Sequence, residues 1–97
     1  MGEIVIGRYP FYIDEANRRR ARCFSLPMDV WNGLTEEQRW EANERFLDEA
    51  IERGDEIILA TPLEDAGHGY FRKELVYLRS LGYHPSQDGK RLVRTAP

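Results

Sequence analysis

Hydrophobic and polar positions along the 97 residues follow two regimes. Short apolar runs without polar interruption alternate with longer stretches in which apolar residues return every three or four positions. Ile4-Val5-Ile6, closed by Gly7, is of the first kind and predicts a buried strand. Pro10 suits a first helical turn, and Ile13, Ala16, Asn17 and Arg20-Ala21 continue at helical spacing with arginines on the outer side. Cys23-Phe24-Ser25-Leu26 predicts a second strand, stopped by Pro27, and residues 28–34 a short turn that packs Val30, Trp31 and Leu34.

Thr35-Glu36-Glu37-Gln38 then has the form of a capping box, in which threonine and glutamine satisfy each other's backbone amides. Trp40, Asn43, Phe46-Leu47 and Ala50-Ile51 form one stripe of the helix that follows, and Gly54 ends it. Glu41 with Arg45, and Glu49 with Arg53, stand at the spacing of favourable helix ion pairs. Ile57-Ile58-Leu59-Ala60 has no polar alternation, as a strand covered on both faces requires. After a loop over 63–69, Phe71, Leu75, Leu78 and Leu81 mark a second amphipathic helix ended by Gly82. Asp88-Gly89 signals a turn, and Arg91-Leu92-Val93-Arg94 an edge strand.

The order β-α-β-α-β-α-β, with a helical stretch between successive strands, predicts crossovers that return the chain parallel to itself. The expected fold is a small three-layer α/β sandwich on a mostly parallel sheet of about four strands. A chain of 97 residues makes one domain over 1–97. No apolar run approaches the roughly 18 residues of a membrane span, so no membrane insertion by this domain is expected. The first residues lack the basic start and apolar stretch of a secretory signal.

The charge is unevenly placed. The net −3 divides into +1 over residues 1–34, −8 over 35–66 and +4 over 67–97. That distribution lacks the uniform basic face of a nonspecific DNA binder. Cys23 is the only cysteine, which excludes a disulfide framework and a cysteine-rich zinc site. Two histidines sixteen positions apart add no zinc-ligand pattern, and no metal or cofactor is expected.

In open parallel sheets ligands bind beyond the carboxyl ends of the strands. Here those ends lead into Arg8 and Tyr9, into Met28 and Asp29, and into Thr61, Glu64, Asp65, Gly67, His68 and Gly69. Gly67-His68-Gly69 precedes a helix, where free amides and close backbone approach favour an anion. Arg8 supplies positive charge opposite, and His68 proton transfer at neutral pH. Glu74 is a candidate catalytic carboxylate on the last helix. Tyr9, Thr61, Gly67, Gly69 and Lys73 complete the candidate substrate contacts. The set suits a phosphate-bearing ligand, although neither a Walker loop nor a dinucleotide fingerprint occurs. Trp31 and Trp40 read as core packing rather than as a base-stacking platform.

Two stretches carry a family resemblance. Trp31-Asn32-Gly33-Leu34-Thr35 continues through Trp40 to Ile51 and Gly54 to Thr61; Gly69-Tyr70-Phe71-Arg72-Lys73-Glu74-Leu75 runs on to Gly82-Tyr83. Together, over roughly residues 23–93, they resemble C-terminal toxin domains of bacterial polymorphic toxins of the Rhs and filamentous-haemagglutinin (contact-dependent inhibition) types. The resemblance implies a domain cut from the end of a larger secreted protein and acting in the target-cell cytoplasm. It also implies neutralisation by a cognate immunity protein. It supplies no catalytic motif.

Three functions follow as expectations. The first is a metal-independent enzyme attacking RNA with Arg8, His68 and Lys73. The second is a hydrolase of NAD or a nucleotide, with Glu64 or Glu74 stabilising a sugar cation and Arg8 holding phosphate. The third is a non-catalytic immunity or interaction domain presenting the acids of residues 35–66.

Overall fold

The computed structural model describes residues 2–94. Strand β1 (Glu3–Ile6) leads through a cis Tyr9–Pro10 peptide to helix α1 (Phe11–Arg19) and the two-residue strand β2 (Arg22–Cys23). Helices α2 (Met28–Asn32) and α3 (Glu36–Arg53) precede β3 (Glu56–Leu59). A 3₁₀ turn at Leu63–Asp65, helix α4 (Tyr70–Ser80), and strands β4 (Tyr83–Pro85) and β5 (Arg91–Arg94) complete the order.

The result is an α/β domain whose five strands run β2-β1-β3-β5-β4. β1 pairs parallel with β2 and β3, whereas β5 runs antiparallel to both β3 and β4. The sheet is therefore mixed rather than mostly parallel, and has one strand more than expected. Tyr83–Pro85 is that extra strand. It makes a hairpin with β5, so β5 lies inside the sheet and β4 takes the edge, where a proline is tolerated. The second strand is shorter than expected. It stops at Cys23, and Phe24-Ser25-Leu26 leaves the sheet.

Alternation along the strands builds two cores. Ile4, Ile6, Ile57, Leu59 and Leu92 point to one face and pack with Leu47 and Ala50 of α3 and Phe71 and Leu78 of α4. Val5 and Ile58 point to the other, against Ala16 and Tyr12 of α1. Continuous apolar sequence in β1 and β3 is thus explained by cover on both sides. α3 forms as its sequence dictates. Thr35 and Gln38 make the reciprocal capping box, and Gly54 takes the left-handed conformation (φ 75°) that ends the helix. The ion pairs differ from expectation: Arg53 bonds Asp55 just past the helix end, at 2.9 Å, and Arg19 reaches Glu3 of β1 at 3.0 Å.

Among the described residues, no helix is long and apolar enough to cross a membrane.

Candidate functional site

A cleft of about 580 Å³ opens beyond the carboxyl ends of β1 and β2. Its origin lies in the short β2. With Phe24, Ser25 and Leu26 out of the sheet and lining the cleft, the end of β1 becomes a floor between α1 on one side and α3 and α4 on the other. Tyr12 and Ile13 of α1 form one side. Phe24, Trp31 and Tyr70 form an aromatic wall, with Trp31 edge-on to Tyr70 at 5.5 Å and to Phe24 at 6.3 Å. Arg39 fixes Trp31 from behind, donating to its carbonyl oxygen at 3.0 Å while its guanidinium covers the indole at 4.7 Å.

The buried end of the cleft holds Glu74 and Asn43, which are 5% and 3% exposed. Removal from water drives the Glu74 carboxyl up to about 8, opposed by a side-chain hydrogen bond from Asn43. Glu74 is therefore mostly protonated at neutral pH. Tyr12 stands close enough to feel its charge; burial first, then Cys23, Glu74 and Tyr9, push the phenol up to about 12. Asn43 Oδ1 and the Tyr70 hydroxyl, both shielded from solvent, have no hydrogen-bond partner among the described residues.

The mouth is positive. Arg8 is exposed, and its guanidinium lies beside Gly67, 3.7 Å from where a side chain on that glycine would begin. Among the described residues it makes no ion pair. His68 and Gly69 line the same mouth, and Gly69 is the N-cap of α4, which has no side-chain cap and no acid in its first turn. Its first amides and the positive end of its dipole thus remain available to an anion.

Of the sequence-predicted residues, Arg8, Tyr9, His68, Gly69 and Glu74 come together around this cleft. Gly67 does not line it but packs against Arg8. Thr61 and Lys73 are not among the residues that line it. Thr61 is buried, and its hydroxyl accepts the Arg8 backbone N–H at 2.9 Å, so it places the arginine rather than a substrate. The Lys73 ammonium lies over the rings of Tyr70 and Trp40, at 5.5 and 6.0 Å. Glu64, Asp65 and Asp29 are exposed and outside the cleft as well.

Sequence reasoning missed Asn43, Tyr12, Phe24, Tyr70 and the cleft-lining role of Trp31. Asn43 had a signal, being a polar residue inside the apolar stripe of α3. The aromatic residues had none that separates a cleft wall from a core.

Among the described residues, no group of three or more His, Cys, Asp or Glu side chains gathers as a metal-ligand set. Comparison of the chain with models of known protein families, with curated proteins and with solved structures found no match.

Proposed function

We propose that this domain hydrolyses the N-glycosidic bond of a phosphate-bearing nucleotide, with Glu74 as the proton donor. The observation that carries the reading is a buried carboxyl, its pKa raised to about 8 by burial, at the end of an aromatic cleft whose mouth holds an exposed arginine. An acid that keeps its proton at neutral pH serves a leaving group that needs one.

In this mechanism the phosphate rests on Arg8 and the first amides of α4. The base lies along Trp31 and Tyr70. Glu74 gives its proton to a ring nitrogen of the base, the bond from C1′ to the base breaks, and its electron pair leaves with the base. Water adds to C1′, and His68 at the mouth takes the proton that water loses. Nucleotide and water become free base and sugar phosphate, and the proton on His68 returns to Glu74 through solvent.

This reading uses Glu74 and the aromatic wall, which an RNA-cleaving mechanism built on Arg8 and His68 leaves without a role. It also favours a neutral base over NAD, whose nicotinamide departs neutral without receiving a proton. Inside a bacterial cell the reaction would drain the nucleotide pool, the consequence that the toxin resemblance suggests.

Chromatography of nucleoside monophosphates incubated with the protein tests it. The expected products are free base and sugar phosphate, with the rate falling at least about 100-fold in Glu74→Gln. The same variant is expected to relieve growth arrest when the domain is expressed in a bacterium. Fragmented RNA beside intact nucleotides would overturn the reading in favour of ribonuclease action.

A further inference from the structure

The buried end of the cleft carries more than an acid. Among the described residues Asn43 Oδ1 is an acceptor without a donor, and the Tyr70 hydroxyl is unpaired as well. Both atoms are shielded from bulk solvent, and a buried polar atom without a partner is destabilising until a ligand supplies one. Asn43 lines the cleft and is itself almost wholly buried. It shares a side-chain hydrogen bond with Glu74, while its Oδ1 has no donor among the described residues.

We propose that Asn43 and Glu74 together read the edge of the base and select a purine with an amino group beside N7, as in adenine nucleotides. The pairing follows from donors and acceptors. The protonated Glu74 carboxyl keeps its carbonyl oxygen on Asn43 and donates its O–H to N7. Asn43 Oδ1 accepts from the neighbouring amino group. That pair of atoms, an acceptor next to a donor, is what adenine presents on this edge, whereas guanine presents two acceptors there. Guanine or hypoxanthine would set a carbonyl oxygen against Asn43 Oδ1 and leave both unpaired. Tyr70 stands four residues before Glu74 on the same helix face, and its hydroxyl is a second buried polar atom of the cleft lining.

The inference rests on the nucleotide reading above, and equilibrium binding separates the two. Calorimetric titration of the full chain with AMP, IMP, GMP and 7-deaza-AMP, repeated with Glu74→Gln to exclude turnover, is the experiment. AMP is expected to bind at least about tenfold tighter than the other three, since a buried group left unpaired is heavily penalised. Asn43→Leu is expected to erase the difference between AMP and IMP. Equal binding of all four nucleotides, or preference for GMP, overturns the inference and leaves the proposed function standing. Binding of none overturns both. The ligand series on the unaltered chain decides the matter even if Asn43→Leu fails to fold.

Discussion

Replacing Glu74 by glutamine probes the buried carboxyl through stability rather than activity. The carboxyl titrates near 4.5 when the chain is unfolded and near 8 in the folded protein. Each tenfold change in proton affinity is worth about 1.4 kcal/mol, so the displacement corresponds to about 5 kcal/mol. The sign follows from proton counting. Between those two values the folded state holds a proton that the unfolded state has released, so raising the pH through the window weakens the fold. The contribution is whole below 4.5, reduced by about 3 kcal/mol at pH 7, and gone above 8. Glutamine has nearly the same shape and no charge to bury, so its curve lacks this slope. The assay is urea unfolding of both proteins at pH 4.5, 7 and 9, followed by tryptophan fluorescence. Relative to wild type, Glu74→Gln is expected to gain about 5 kcal/mol across that range, on the order of 2 M in urea midpoint. All other titrations cancel in the difference. A gap between the two proteins that does not change with pH would refute the burial of a protonated Glu74.

Three other substitutions test the frame around the cleft. Gly7→Ala is expected to cost about 1–3 kcal/mol in chemical denaturation, because its methyl group would lie 2.9 Å from Thr61 Oγ1 and 3.0 Å from the Ala60 side chain. Thr35→Ala removes one half of the α3 capping box and is expected to cost about 1 kcal/mol in the same assay. Arg8→Ala, at an exposed position with no ion pair among the described residues, is expected to leave stability within about 0.5 kcal/mol while weakening nucleotide phosphate binding in calorimetry.

How far the sequence carried depends on the kind of signal. α3 was legible end to end because its cap, stripe and terminal glycine are local features that agree with one another. β1 and β3 were legible because apolar runs without alternation have few uses other than a doubly covered strand. The hairpin was not. Asp88-Gly89 signals the turn, but Tyr83-His84-Pro85 is short, half polar and contains proline, and nothing local marks it as the strand that pairs across that turn. Missing β4 made β5 look like a parallel edge strand, and the sheet was misread as a consequence.

The site divides the same way. Placing Arg8, His68 and Gly69 beyond strand ends needed only the direction of β1 and β3, which are indeed parallel neighbours. The early end of β2 decides that a cleft exists at all, and no residue between Cys23 and Pro27 announces it. Glu74 was picked out as an acid on α4, but its burial against Asn43 depends on how two helices far apart in sequence meet. Asn43 alone offered a hint, since an asparagine in an apolar stripe must find its partners inside the fold.

The pH dependence of base release by the unaltered chain is the most direct measurement of whether Glu74 delivers a proton. The turnover rate with AMP is expected to fall as the pH rises through about 8, where the carboxyl loses its proton. Turnover that persists undiminished well above that value, or that switches on as a carboxyl ionises near 4, would contradict the assignment.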